Sequence, residues 1–263
     1  MSSAKKKRVR VIKEDIKASL RQLGLKKGDK IGVHSSLSSF GVVEGGADTV
    51  IDALLEVVGK EGTIVMPTYS TNRVGIKLTP EEIAAGLTWK FKILHYNPST
   101  TPCWTGIIPE TFRKRNGVLR SSHSTHSKAA IGRHAEKIIK NEDPSALGPW
   151  KKLLELDGYI LLVGVGLRAC SSMHLAEERV KLPQHLAEKI TIPTRLAEKY
   201  PEDKWDVCYG PYPTFAKMEK PLLKNGAMRK TQVGKATIML IKLRVLIDLY
   251  AERLKKDPDF FYV

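Results

Sequence analysis

Apolar residues along this chain alternate between helical spacing and short continuous runs, and the alternation outlines a series of helices and strands. Over residues 14–23, Ile16, Leu20 and Leu23 fall three or four apart and stop before Gly24, which predicts a helix closed by a glycine. Residues 30–34 read as a strand, 47–58 as a helix with Val50, Ile51, Leu54, Leu55 and Val58 on one side, and 63–66 as a second strand. The pattern then fails from 67 to 103, apart from a short helix opened by Thr79 as cap and Pro80 as first helical residue. So long an irregular segment inside a compact fold is expected to overhang a site. Helices at 105–114 and 145–156 precede a buried strand at 159–165. Beyond it the pattern gives strands at 190–192, 205–209 and 227–233 and a closing helix over 237–256. This is the alternation of an α/β fold whose later part is antiparallel.

No repeat, low-complexity tract or linker divides the 263 residues, so one domain is expected. No apolar run reaches the roughly 18 residues needed to cross a bilayer, and no signal-peptide pattern opens the chain. Cys103, Cys170 and Cys208 are odd in number and far apart, unlike a disulfide framework or a zinc motif. These features predict a soluble cytoplasmic protein with no membrane partner. The formal charge of +16 invites a nucleic-acid reading, but it is concentrated at the ends. Residues 1–30 hold 11 basic and 3 acidic side chains, whereas the long middle is nearly neutral and carries the motifs below. The run Lys5-Lys-Lys-Arg-Val-Arg10 is read as a flexible basic tail covering residues 1–10. No aromatic residues interleave with these charges as single-strand binding requires, so no nucleic-acid partner is expected.

The strongest chemical signal follows the strand at 159–165, where Gly164-Val-Gly166 leads to His174-Leu-Ala-Glu177. Residues three apart on a helix are neighbours, so Glu177 can hold one imidazole nitrogen and leave the other as a base. The carboxyl ends of strands in α/β folds are where ligands bind. Two further polar loops stand out. Ser35-Ser-Leu-Ser-Ser39 links a strand to the next helix and offers hydroxyls and N–H groups, without matching either glycine-rich nucleotide consensus. Arg120-Ser-Ser-His123-Ser-Thr-His126-Ser127 contains two histidines three apart, a weak zinc signal without a third ligand at the usual spacing. His34, His95, His134 and His185 are read as structural or surface residues.

Five blocks in order resemble the aminoglycoside 3-N-acetyltransferase family. They are Val33-His-Ser-Ser-Leu-Ser-Ser-Phe-Gly41 with Gly45-Gly-Ala-Asp-Thr49; Gly62-Thr-Ile-Val-Met-Pro-Thr-Tyr-Ser70; Thr105-Gly-Ile-Ile-Pro-Glu110 through the loop ending at Ser127; Gly164-Val-Gly166 with His174-Leu-Ala-Glu177; and Val233-Gly-Lys-Ala236 with the final helix. The resemblance implies a single-domain α/β/α sandwich with a mixed central sheet, distinct from the common acetyltransferase superfamily fold. It implies acetyl-CoA as cosubstrate, no metal, and an aminoglycoside acceptor modified at the 3-amino group of its 2-deoxystreptamine ring, with antibiotic resistance as the role. By motif, His174 and Glu177 become catalytic, and Ser35, Ser36, Thr68, Ser70, Thr105, His123 and Ser127 become coenzyme-binding. A homodimer is compatible with the resemblance.

Two departures bear on the acceptor. Arg168-Ala-Cys170-Ser171 stands where the family commonly reads Asp-Ser-Asn-Thr, which would set a cation and a thiol near the amine site, and Ser124 replaces a common proline. The competing readings are an acetyltransferase for another amine, a basic nucleic-acid-binding protein, and a metal-dependent hydrolase built on His123, His126 and His174.

Overall fold

The computed structural model describes residues 10–262, so most of the basic N-terminal run lies outside the described residues. Its last member, Arg10, opens the short strand Arg10–Val11, paired in parallel with Val42–Val43 rather than continuing a tail.

The main sheet has seven strands in the order Met228–Val233, Ala236–Lys242, Tyr159–Val163, Lys30–Ser35, Thr63–Pro67, Lys128–Gly132 and Leu119–Arg120. The three central strands are parallel and the flanking ones antiparallel, giving the expected mixed sheet. Side chains alternate between its faces. Ile31, Ile64, Met66, Leu161, Val163, Ile238 and Leu240 enter a core shared with the helices Lys13–Gln22, Gly46–Val58 and Ile107–Phe112. Val65, Ile160, Leu162, Met239 and Ile241 enter the opposite core, with Gly148–Glu155, His174–Glu177 and Leu243–Lys256. Helices on both faces make this an α/β/α sandwich. Gly32 is required at the second face, because a Cβ there would lie 2.7 Å from the Trp150 ring and 2.9 Å from Leu153.

Three expectations are corrected. The segment 67–103 is not irregular: Arg73–Gly75 and Leu87–Ile93 are strands that join Trp205–Tyr209 in a separate antiparallel sheet. Residues 190–192 form no strand, since helix Gln184–Ile190 ends there. The closing helix starts only at Leu243, because Ala236–Lys242 is an interior strand hydrogen-bonded on both sides. Its run of β-branched and aliphatic residues satisfies both cores, which overrides a helical reading of the same apolar density. Among the described residues, no helix is long and apolar enough to cross a membrane.

Candidate active site

The carboxyl ends of the three parallel strands deliver the motif residues to one edge of the sheet. At the end of Lys30–Ser35, the Ser36 N–H donates to the Val163 carbonyl at 2.9 Å and the Ser39 hydroxyl to the Ser36 carbonyl at 2.6 Å, folding the serine loop against the neighbouring strand. Gly164 makes this possible: its φ is 68°, and a Cβ would overlap the Ser39 hydroxyl. The Ser35 hydroxyl is buried without a partner, whereas the Ser36 and Ser38 hydroxyls lie 3.1 Å apart near the surface. An open groove of about 300 Å³ begins here, with Ser39, Gly164, Gly166, Lys230 and Lys235 in its walls.

Beyond the next strand end, the Thr68 and Ser70 N–H groups donate to the Ser127 and Thr125 carbonyls at 2.9 and 3.0 Å. The two loops thus continue the ladder between Thr63–Pro67 and Lys128–Gly132. Thr68, Ser70 and Ser127 have no exposed surface. Their hydroxyls are engaged internally: Ser127 donates to the Thr68 carbonyl at 2.7 Å, Ser70 reaches the Ser124 carbonyl, and Arg120 Nε donates to the Thr68 and Ser127 oxygens at 3.2 and 3.1 Å. The structure therefore places these three as loop braces. Thr105 is half-buried and donates to the Pro67 carbonyl at 2.7 Å, which seats the turn before helix Ile107–Phe112 beside the serine loop.

His123 Nδ1 accepts the N–H groups of Thr125 and His126 at 3.3 and 3.1 Å, which assigns the ring hydrogen to Nε2 and makes that atom a donor. Burial, then the charge of Lys128, holds the His123 pKa below its usual value. His126 is driven further down, to about 3, chiefly by burial. Among the described residues, no group of three or more His, Cys, Asp or Glu side chains is placed to hold a metal.

His174 is reached through a hydrogen-bonded frame. A 3-10 turn, Ser171–Met173, leads into the short helix His174–Glu177. The Ser171 hydroxyl accepts from Tyr69 at 2.7 Å and from the Trp150 indole at 3.3 Å, linking the His174 segment to the loop after Thr63–Pro67 and to the helix Gly148–Glu155. His174 Nδ1 lies 2.9 Å from Glu177 Oε2, and the Tyr250 hydroxyl donates to Glu177 Oε1 at 3.3 Å. The Phe215 ring packs edge-on against the imidazole, with centroids 4.9 Å apart. With Nδ1 committed to the carboxylate, Nε2 is the nitrogen that can accept a proton. The side chain of His174 keeps 31% of its surface exposed, so it is accessible to a substrate.

Several of these participants carried no chemical signal in the sequence. Tyr250 sits on the apolar stripe of a helix with Leu246, Ile247 and Leu254, where only its packing is readable. Tyr69 and Trp150 frame the site as large aromatics. Lys128, 1% exposed, donates to the His126 carbonyl at 2.9 Å and to the Ala146 carbonyl, with Nζ 5.1 Å from the Tyr69 ring centre and 5.8 Å from that of Trp150. Burial without a carboxylate pushes its pKa down to about 7. The expectation for Arg168 and Cys170 divides. Arg168 is exposed, whereas Cys170 is fully buried in the core beside the Ser172 hydroxyl and presents no thiol to the site.

The profile of the aminoglycoside 3-N-acetyltransferase family matches residues 33–255. The SPbeta prophage-derived aminoglycoside N(3')-acetyltransferase-like protein YokD of Bacillus subtilis (strain 168) is 35% identical over 259 residues, spanning 92% of this chain and 91% of the relative. Aminoglycoside N(3)-acetyltransferase IV of Salmonella sp is 31% identical over 258 residues, spanning 95% and 89%. The crystal structure of YokD from Bacillus subtilis superposes with a TM-score of 0.74 at 32% identity, covering 96% of both chains. A variant of aminoglycoside acetyltransferase AAC(3)-IVa in complex with apramycin gives 0.73 at 27% identity, covering 96% of this chain and 95% of the other. With the family profile matched over most of its length and these relatives aligned end to end, the chain belongs to the aminoglycoside 3-N-acetyltransferase family.

Proposed function

We propose that this protein transfers the acetyl group of acetyl-CoA to the 3-amino group of an aminoglycoside, with His174 as general base and Glu177 as its orienting partner. The observation that carries the reading is the 2.9 Å contact between His174 Nδ1 and Glu177, which directs Nε2 to the substrate. An aminoglycoside ammonium cannot attack a thioester until it loses a proton. Nε2 takes that proton, and the carboxylate stabilises the imidazolium formed. The amine nitrogen bonds to the thioester carbonyl carbon, the tetrahedral oxyanion collapses, and the carbon–sulfur bond breaks. The imidazolium then returns its proton to the departing sulfur, and the second proton on nitrogen passes to solvent as the neutral amide forms, so one proton is released per turnover. The oxyanion needs a donor already in place, and His123 Nε2–H and the serine-loop N–H groups are the candidates.

The coenzyme would lie along the serine loop and the 123–127 loop. Ser35, Ser36 and His123 are suited to direct contact, since Ser35 has an unpaired hydroxyl and His123 a free donor, while Thr105, whose hydroxyl is given to the Pro67 carbonyl, would seat the turn beside the serine loop. Thr68, Ser70 and Ser127 would act by holding the loops in shape. Residues 1–263 are taken as one catalytic unit. The test is thiol release from acetyl-CoA with 4,6- and 4,5-linked aminoglycosides, comparing the wild type with His174→Ala. Loss of the base should lower kcat by roughly 10²- to 10⁴-fold while coenzyme affinity holds. Absence of wild-type turnover with every acceptor, or full turnover in the variant, would overturn the proposal.

A further inference from the structure

The three-stranded sheet buries only one face in its own core. Trp205 and Val207 pack with Leu87, Leu196 and Tyr200, and Lys90 forms an ion pair with Glu82 on that side. Strand register puts Trp89, Phe91, Ile93, Arg73, Asp206 and Cys208 together on the other face. This second face adjoins the catalytic frame. The Arg73 guanidinium carbon lies 4.4 Å from the Phe91 ring centre and 5.3 Å from that of Trp104. Trp104 in turn meets the Tyr69 ring at 5.8 Å, and Tyr69 meets His126 at 4.8 Å while bonding Ser171. Trp104 is 53% exposed, the Tyr212 ring stacks on Trp89 at 5.2 Å, and the Trp89 indole N–H is buried without a partner.

Aromatic faces, an unpaired donor and a carboxylate are the groups that recognise an amino sugar. Sugar C–H faces lie on the rings, and ammonium groups take charge-assisted bonds. Asp206 is the one carboxylate among the named residues of this face, and Arg73 holds it. Glu177 is already engaged by His174 and Tyr250. We propose that this face is the wall that reads the acceptor, with Asp206 taking an ammonium of the aminoglycoside in exchange for the Arg73 guanidinium. The exchange replaces one cation by another, and Arg73 keeps its seat over Phe91 and Trp104. The inference rests on the acetyl-transfer reading of the His174 site and adds the group that selects the acceptor.

Opposite effects of the two partners provide the test. Apramycin is titrated by calorimetry without acetyl-CoA into the wild type, Asp206→Asn, Arg73→Gln and Arg73→Lys, with coenzyme A titrated separately. Asp206→Asn should weaken apramycin binding about ten-fold or more. Arg73→Gln should tighten it, because the carboxylate is left free, and Arg73→Lys should restore wild-type affinity. Coenzyme A affinity should be unchanged in all variants. Added salt should weaken apramycin binding to the wild type and Arg73→Gln more than to Asp206→Asn. Equal weakening in Asp206→Asn and Arg73→Gln, as a purely structural pair would give, overturns the proposal, as does unchanged binding in Asp206→Asn or no binding by the wild type. Asp206-dependent binding without wild-type thiol release would instead defeat the acetyl-transfer reading and leave the wall standing.

Discussion

The two sheets of this protein differ in how they are held. The seven-stranded sheet is covered on both faces, and at one edge its parallel centre presents the serine loop and the approach to His174 beside the 123–127 loop of the flanking antiparallel strands. The three-stranded sheet rests on a small cluster around Leu87, Leu196 and Tyr200. Beside that cluster it buries Glu82 against Lys90 and Tyr200, and their hydrogen bonds hold the Glu82 pKa down to about 2. A buried ion pair is a weak source of stability compared with apolar packing. Under the proposed mechanism the contrast assigns tasks: proton transfer requires positions fixed within fractions of an ångström, and His174 and Glu177 lie in a short helix packed into the core on one face of the large sheet. The face proposed to read the acceptor belongs to the less embedded sheet.

Matched core deletions should expose this asymmetry most strongly. Trp150 is fully buried, stacks on His34 and donates to Ser171. Trp150→Ala is expected to cost about 3–5 kcal/mol of global stability and to disturb the His174 segment. Leu196→Ala, in the satellite core, should cost about 2 kcal/mol or less globally while speeding hydrogen exchange in Leu87–Ile93 and Trp205–Tyr209. Denaturant unfolding with residue-resolved exchange checks both. Equal global losses, with no local exchange change in Leu196→Ala, would mean that the sheets form one cooperative unit.

The same division governed what the sequence revealed. The central strands and the helix Gly46–Val58 were legible because each has an unbroken apolar pattern backed by a covered face. Leu87–Ile93 was readable in principle: Leu87, Trp89, Phe91 and Ile93 alternate with Thr88, Lys90 and Lys92. The pattern was obscured because Lys90 points into a core, where it meets Glu82 rather than solvent. The contact between His174 and Glu177 was foreseeable because their spacing carries geometry by itself. Tyr250, Lys128 and Trp150 act through contacts between distant segments, and no local spacing encodes those. The serine and threonine motifs marked loops that the fold gathers at one edge of the sheet, but composition could not show which of their hydroxyls bond to neighbouring carbonyls.

Lys128 gives the buried platform a pH dependence above pH 7, whereas Glu82 beside the smaller sheet, held down to about 2, ties stability to the acid range. The folded pKa of Lys128 is lowered to about 7 from 10.5, so between these values the unfolded chain holds more protons and stability rises with pH. The slope is at most about 1.4 kcal/mol per pH unit, and its benefit is absent below about pH 7. Lys128→Met removes this titration but leaves the His126 and Ala146 carbonyls without their donor. The wild type should therefore gain on the variant steadily from pH 7 to pH 9 in urea unfolding. A constant difference between the two would show that Lys128 does not lose its proton in the folded state.

The smallest expected effect is the most diagnostic of the base and partner proposed in His174 and Glu177. Tyr250 donates to Glu177 Oε1, and burial together with the Glu177 charge raises its pKa, so the phenol stays a donor. That bond competes with His174 for the carboxylate's electron density. Tyr250→Phe should leave Glu177 a stronger acceptor, stabilise the imidazolium, and move the acidic limb of the kcat profile to higher pH by a few tenths of a unit. The lost anchoring should also reduce kcat about two- to five-fold, the scale of one net hydrogen bond. Glu177→Gln should move the same limb the other way, because a neutral amide no longer supports imidazolium. Initial rates against pH for the two variants read both signs. If the limbs shift in the same direction, or neither moves, Tyr250 and Glu177 serve packing alone and His174 owes them nothing as a base.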